Sequence, residues 1–303
     1  MKILLTGSKG FIGQELLQRP NFLGEIFELT SDLRDHKSVR QEVLAVNPHI
    51  IIHLAARTEV EASFYEQITF SEINYVGSVN LIECAKECSD LKLLLVASTM
   101  ETYGWQPVST EVRTSQKLID PKSYAFDEST PLNPNAPYAV AKVGVEKYLE
   151  YANRCYGLKY ISLRQTNTYG RTKSNFFVTE SIISQMVNSN NISLGYKLPY
   201  RNFIYIDDLL ELYEIVIKEY KNIPSGHYCI GPNNPIQIQD YAELIAKKIK
   251  WNGAINWETR PERVGEIYYL SSKNDLISNY TGWCPKTTLE EGLERTIKVW
   301  KNM

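Results

Sequence analysis

The strongest restriction on this chain lies at its start. The apolar run Ile3-Leu4-Leu5 stops at Thr6-Gly7, and TGSKGFIG sets Gly7, Gly10 and Gly13 at GxxGxxG spacing just before a helical pattern from Phe11 to Gln18. A glycine loop between a buried first strand and a helix has a physical task. The first glycine permits the tight turn, the second lets the backbone approach a pyrophosphate, and the third allows close packing of helix on strand; the helix N-terminus then offers free N–H groups to the anion. This context predicts dinucleotide binding, by NAD or NADP, with Gly7, Gly10, Phe11, Ile12 and Gly13 at the cofactor.

Behind the loop, apolar runs alternate with helical periodicity. Ile26 to Leu29, His49 to Leu54 and Leu91 to Ala97 read as strands, with helical stretches from His36 to Val46 and from Ile73 to Cys88 between them. Parallel strands cannot be joined by tight turns, so this alternation predicts an α/β fold with a parallel sheet and helices on both faces. The pattern breaks after Gly104 until Tyr138, across a stretch with five prolines, Pro107, Pro121, Pro131, Pro134 and Pro137. A connection of that length is expected to be a functional lid or an excursion. Helix resumes from Tyr138 through Tyr156 and a strand from Leu158 to Leu163. The second half is less regular, with helices near Thr179 to Asn188, Asp207 to Glu219, Gln239 to Lys250 and Leu289 to Trp300, and a strand at Phe203 to Ile206. It reads as a smaller α/β substrate-holding part interleaved with the end of the first: residues 1–170 plus roughly 203–230 for the cofactor, 171–202 and 231–303 for the substrate.

Composition excludes several classes. With 303 residues, 43% of them apolar, the chain can bury a substantial core. Its 33 basic and 35 acidic residues give a net charge of −2, so no electrostatic footprint for nucleic acid or an anionic membrane is expected. No apolar stretch approaches the roughly 20 residues that span a bilayer, and the first residues lack a signal-peptide core. Cys84, Cys88, Cys155, Cys229 and Cys284 are odd in number and unpaired in spacing. A reduced cytoplasmic setting without a metal site is the expectation.

Tyr138-Ala-Val-Ala-Lys142 sets a phenol and an ammonium one helical turn apart on one face. A tyrosine with the ordinary pKa of about 10 is a poor base at neutral pH, and a nearby cation draws that value down. The same spacing also arises by chance on surfaces.

Chance recedes when the pieces are combined. TGSKGFIG, HLAA (53–56), STMETYG, PYAVAK, LRQTNTYG (163–170), RNFIYIDDL (201–209), RPERVGEI and GWCPKTTLEEGL occur in that order. The whole chain resembles the extended short-chain dehydrogenase/reductases, in the branch of NAD-dependent nucleotide-sugar epimerases, dehydratases and 4-ketoreductases. That resemblance implies a Rossmann doubly wound sheet that binds NAD(P), a smaller C-terminal domain for a nucleoside-diphosphate sugar, and a homodimer built on a four-helix bundle. It also implies roles. Thr99 matches the residue that hydrogen-bonds the sugar hydroxyl, Tyr138 the acid/base, and Lys142 the residue that tunes the tyrosine and holds the nicotinamide ribose. Leu54, Ala55 and Ala56 fall to the cofactor. Arg201 and Arg260 match the residues that grip the diphosphate, a task suited to the guanidinium fork. Asn175 resembles the asparagine that contacts the diphosphate, and Asn167 shapes the active-site wall.

The implied chemistry starts with Tyr138 taking the proton of the sugar C4 hydroxyl as C4 loses hydride, which gives a 4-keto sugar. An epimerase returns hydride to the other face. A 4,6-dehydratase removes the C5 proton with a carboxylate while an acid helps the C6 hydroxyl leave, and a reductase runs only the return half. Non-enzymatic relatives usually lose the Tyr and Lys that this chain keeps.

Three departures from the family pattern stand out. Glu101 matches the C5 carboxylate of dehydratases, but Met100 stands where those of one type carry an aspartic acid, and a thioether has no proton to give. It is expected to form an apolar wall beside the sugar or nicotinamide, and any elimination needs another acid, with the long loop from Trp105 to Phe126 as a source. That loop exceeds the family norm and is expected either to cover the substrate or to change which sugar is accepted. Third, the second strand ends at Leu29-Thr30-Ser31 with no acid for the ribose, leaving Asp32 and Leu33 for the adenosine end and NAD against NADP open; Asp35 reads as a helix cap. On base rate C4 epimerisation ranks first, then 4-keto reduction, then 4,6-dehydration.

Overall fold

The computed structural model describes residues 1–19, 24–172, 174–259 and 262–302. Six parallel strands form the central sheet: β1 (Lys2–Thr6), β2 (Glu25–Glu28), β3 (Ile50–His53), β4 (Leu93–Thr99), β5 (Tyr160–Gln165) and β6 (Gly226–Ile230), in the spatial order β6-β5-β4-β3-β1-β2. The chain goes one way from β1 to β2 and the other way from β1 to β3. This makes β1/β3 the switch point, where a doubly wound sheet opens a crevice at its strand ends.

Both sheet faces are covered, and for that reason the inner strands β1, β3 and β4 carry continuous apolar runs, Ile3–Leu5, Ile50–Ile52 and Leu93–Ala97, rather than alternating. On one face α1 (Phe11–Gln18) and the later helix Ile206–Glu219 bury Leu16, Leu209, Leu212 and Tyr213 against Ile3, Leu5 and Leu95. On the other, α2 (His36–Val46) and α3 (Gly77–Lys86) bury Val39, Val43 and Leu81 against Leu4, Ile51 and Leu94. Asp35 caps α2 by accepting from the backbone of Lys37 at 3.1 Å and Ser38 at 3.2 Å. The helical stretch before Cys88 starts earlier than its periodicity predicts. It begins at Gln67 and passes through a π-turn, Glu72–Val76, before α3.

The segment after Gly104 is not an open lid. It forms α4 (Pro107–Ser115), entered by a proline at its first turn and closed by Gln116 at φ +64°, and a 3-10 turn, Pro121–Tyr124. Val108, Val112, Leu118 and Phe126 pack with Tyr103, Tyr200 and Tyr269 in a separate apolar cluster. The cluster lies on a small three-stranded sheet of Tyr200–Arg201, Ile236–Gln237 and Tyr269–Leu270. Pinning hydrogen bonds run from Leu118 N to Tyr200 Oη at 3.1 Å and from Tyr269 Oη to Pro121 O at 2.5 Å. Burying each large apolar side chain contributes about 1.5–3 kcal/mol, enough to hold such a segment in place.

Next come α5 (Pro137–Tyr156), with proline at its first turn and Gly157 at φ +71° as its left-handed cap, and α6 (Val178–Asn188). Further helices, Ile238–Ile249 and Leu289–Lys301, close a fourth cluster around Ile182, Phe203 and Tyr241. No described helix is long and apolar enough to cross a membrane.

Candidate active site

The glycine loop fits a pyrophosphate. Gly7 has φ +71°, and a Cβ there would stand 2.6 Å from Ala55 N, so residues 54–55 after β3 lie directly against the loop. A Cβ on Gly13 would strike the carbonyl oxygen of Gly7, which keeps the first turn of α1 against the loop. Gly10 caps α1 without a side-chain bond and no acid lies in the first turn, so the first N–H groups of α1 face the loop unshielded. Ile12 lines the adjoining cleft and Phe11 lies 4.4 Å beneath the Arg171 guanidinium. Of the adenosine-end candidates, Asp32 is held by Arg34 at 2.6 Å, and hydrogen bonds from Arg34 draw its carboxyl down to about 2. The Leu33 side chain is buried in the core. At the end of β2, Glu42 accepts from Thr30 Oγ1 at 2.6 Å and from its backbone at 2.9 Å, a carboxylate supplied from α2 where the strand itself has none.

His53, quoted in the sequence only as part of HLAA, explains how the loop after β3 is set. Its Nδ1 meets Thr6 Oγ1 at 2.8 Å and its Nε2 meets Ser78 Oγ at 2.9 Å. Thr6 Oγ1 accepts from Ala55 N at 3.1 Å, and Ser78 Oγ donates to Asn74 O at 2.6 Å. These directions give His53 its proton at Nε2. Burial, reinforced by the charge of Lys142, lowers its pKa to about 3, so it stays neutral.

At the carboxyl ends of β4 and β5 a cleft of about 770 Å³ opens, lined by Thr99, Glu101, Tyr138, Asn167, Asn175 and Arg201 among others. Tyr138 and Lys142 come from the first turns of α5, Thr99 from the end of β4, and Glu101 from the 3-10 turn Met100–Tyr103 that Thr99 caps. Tyr138 and Thr99 line the same wall of the cleft. The Tyr138 phenol is pushed well up, chiefly by burial and then by the charge of Glu101, with the Thr99 hydroxyl opposing. The lysine does not depress it in this arrangement. Lys142 Nζ donates to Ala97 O at 2.8 Å, and burial lowers its own pKa to about 8.

Glu101 is half-buried, and burial raises its carboxyl above the usual range against the pull of Arg201 and Arg263. Arg201 Nη2 meets Glu266 Oε1 at 3.0 Å, and Arg263 Nε meets Glu266 Oε2 at 2.7 Å. Burial works against the charge of Glu266, but the bond from Arg263 and the charge of Arg201 hold it ionised. The cleft floor is thus a quartet of two carboxylates and two guanidinium groups. Arg260, expected from the resemblance to grip the diphosphate, lies outside the described residues; Arg263, three positions on in RPERVGEI, lines the cleft. Its signal was present, since both arginines stand in the same motif. At the opposite end, Arg171 stacks 3.8 Å over Phe177, while Asn175 reaches Ser184 Oγ at 3.4 Å.

Met100 is placed differently from its expected position. It is 2% exposed and belongs to the apolar cluster with Val108, Val112 and Phe126 rather than to the cleft wall. The 3-10 turn is the reason, because it points Met100 away from Thr99 and Glu101 into the packing beneath α4. The long loop does not cover the cleft either, as no residue from Trp105 to Phe126 lines it.

The family described as "NAD dependent epimerase/dehydratase family" matches residues 3–231. Human dTDP-D-glucose 4,6-dehydratase is 26% identical over 342 residues, which covers 100% of this chain and 92% of the relative. Among solved structures, UDP-glucose 4-epimerase from Thermotoga maritima with UDP-glucose superposes with a TM-score of 0.86 at 22% identity, covering 100% of this chain and 99% of that one. RMD from Pseudomonas aeruginosa complexed with NADPH superposes with a TM-score of 0.84 at 21% identity, covering 99% of each chain.

Proposed function

Because the chain belongs to the NAD-dependent epimerase/dehydratase family, we propose that it is a nucleotide-sugar 4-epimerase acting on a nucleoside-diphosphate sugar through hydride transfer at C4. The observation that carries this reading is that Thr99 and Tyr138 share one wall of the cleft with Glu101, while Lys142 stands one turn further along α5 and donates to Ala97 O behind that wall. A standard elimination calls for a second acid beside the carboxylate, and the buried Met100 supplies none. Glu266 is ionised between two arginines and is no proton donor.

In this reading the cofactor loop of Gly7, Gly10, Phe11, Ile12 and Gly13, with Leu54, Ala55 and Ala56 beside it and Asp32 and Leu33 at the adenosine end, holds NAD or NADP. When bound, that cofactor supplies the hydride acceptor and donor for C4. Thr99 orients the C4 hydroxyl and Tyr138 takes and returns its proton, while Lys142 would hold the nicotinamide ribose. Arg201 and Asn175, with Arg263 and outside the described residues Arg260, anchor the diphosphate, and Asn167 shapes the wall. Holding the diphosphate while the sugar end stays loose lets a keto sugar turn over within about 770 Å³. Residues 171–202 and 231–303 make up the sugar-binding domain. The homodimer uses the face of exposed Tyr65, Ile68, Tyr75, Val76 and Val140, and the enzyme works in the cytoplasm, where five free cysteines suit a reducing medium.

Glu101, with its raised pKa beside Tyr138, supports 4,6-dehydration as a second reading, and 4-keto reduction is the third. One experiment separates them. UDP-, dTDP-, GDP- and CDP-sugars and their 4-keto-6-deoxy forms are incubated with the protein in D2O, with and without NAD(P)H, and followed by NMR. C4 inversion without net cofactor use is expected; a new methyl group with deuterium at C5 points to the dehydratase, and stoichiometric NAD(P)H use to the reductase. All substrates unchanged sinks the reading.

A further inference from the structure

Tyr138, Lys142 and Glu146 follow one another at four-residue steps along one stripe of α5, and only the first two have a task so far. Glu146 is 1% exposed, and a carboxylate that deep is retained only with partners. Ser98 Oγ donates to its Oε1 at 2.6 Å, Arg164 Nε donates to the same oxygen at 3.0 Å, and Arg164 Nη2 donates to Oε2 at 2.7 Å. Ser98 and Arg164 are direct neighbours across β4 and β5, which is why both side chains rise on one face to the same group. Arg164 Nη1 continues to Tyr103 Oη at 2.9 Å, and Tyr103 lies in the turn that carries Glu101. One carboxylate therefore joins the catalytic helix, the strand that ends in Thr99, and the turn of Glu101.

We propose that Glu146 is a positioning residue for the C4 chemistry, fixing the spacing of Thr99, Tyr138, Lys142 and Glu101 and supplying the negative charge that faces the Lys142 ammonium. The proposal rests on the epimerase reading only for its rate effect. The groups facing Lys142 are neutral His53 on β3, the Ala97 carbonyl on β4, and Glu146 one turn further along α5. Glu146 is the one anion among them, and its attraction opposes the burial that draws Lys142 down. Glu146 itself is faced by Ser98 on β4, Arg164 on β5, and His227 on β6, whose Nδ1 stands 3.8 Å away and whose Nε2 turns to Glu150 at 3.3 Å.

The test titrates Lys142 in the full-length protein labelled with 13C-lysine, its Cε resonance assigned by Lys142→Arg. In Glu146→Gln the midpoint is expected to fall by about 1 to 3 on the pH scale, the usual effect of losing an opposite charge. Should Glu146→Gln fail to fold, Glu146→Asp keeps the charge but draws it back by one methylene, and the midpoint is expected to fall by a smaller step. Leu149→Ala, a cavity in the same helix, should lower Tm and leave the midpoint in place. Turnover adds a second readout, with kcat down by about 100-fold in Glu146→Gln, as for a small misplacement, and KM within twofold, roughly. The titration needs no substrate, so a failed epimerase assay leaves it standing. A folded Glu146 variant with the Lys142 midpoint unmoved, or an equal movement in Leu149→Ala, overturns the proposal.

Discussion

Two sides of the same short turn, Met100–Tyr103, live in different solvents. On the cleft side, Thr99 and Glu101 meet Tyr138 and Arg201, groups whose charges are drawn away from their ordinary values by burial. On the other side, Met100 and Tyr103 close the apolar cluster beneath α4, with Tyr103 and Phe126 rings 5.2 Å apart. One face stores unfavourable electrostatics and the other supplies packing. The difference teaches that residue type within a catalytic motif can be set by what lies behind it, and that the thioether serves the inserted segment.

The sharpest way to break this comparison is to disable one side and look for damage on the other. Tyr138→Phe removes the exchangeable proton and keeps the ring, so kcat for C4 conversion is expected to fall by about 10²- to 10⁴-fold. Its Tm should change little, since only about 1 kcal/mol of hydrogen bonding is lost. Turnover followed by NMR beside a thermal melt checks both, and retained turnover would remove Tyr138 from the chemistry. Met100→Asp reverses the pattern. A carboxylate among Val108, Val112 and Phe126 has no partner there, and the loss in urea unfolding is expected to reach at least the range of about 2–5 kcal/mol typical of Met→Ala in a core. Met100→Leu, close in volume, should cost under about 1.5 kcal/mol. A stable Met100→Asp protein that eliminates water from the sugar would instead put the side chain at the cleft.

How far the sequence carried this picture depends on the range of the interactions involved. The glycine loop, the first five strands of the sheet and the Tyr138–Lys142 spacing are local patterns, and each stands where its pattern implies, whereas the sixth strand, Gly226–Ile230, has no such signal and the expected strand at Phe203 pairs with Asn167–Tyr169 outside the sheet. Asp35 as a cap was legible because a cap acts over three residues. Met100 was misread because its neighbours belong to residues 108–126 and 200–270, which no local window brings together. The same holds for Glu42 at Thr30, for Arg201 at Glu266, and for the His53 network, where the partner of each ring nitrogen lies 25 or more positions away. The inserted segment lacked a helical signal for another reason. α4 has only nine residues, three of them buried, so its periodicity is thin.

Within the cleft side, Glu101→Gln refines the assignment by a smaller effect. Epimerisation at C4 makes no use of a C5 base, so kcat is expected to remain within about tenfold, the residual change reflecting the relief of a charge that now raises the Tyr138 phenol. Dehydration would lose about 100-fold or more with its acid/base gone. Turnover of the Gln variant with the sugar accepted in the NMR panel decides between them.

The smallest expected effect is one of pH on stability, and it tests whether the cleft side is electrostatically costly at all. The folded Lys142 has a pKa near 8, below the ordinary value of about 10.4 that it regains on unfolding. Between those values the unfolded chain holds a proton that the folded chain has released, so raising the pH favours the fold, by at most about 1.4 kcal/mol per pH unit. Buried thiols act in the opposite direction. Cys84 and Cys88 are pushed up to about 11, chiefly by burial, so the folded chain keeps protons that unfolded thiols lose from about pH 8.5 onward, and the fold weakens. Subtracting the unfolding free energy of Lys142→Met from that of the parent cancels the thiols and leaves the lysine alone. The difference should be flat below about pH 7 and rise in favour of the parent between about pH 8 and 9.5. A difference that stays flat across that interval would mean that Lys142 is solvated as on any surface, and the contrast between the two sides of the turn would lose its electrostatic half.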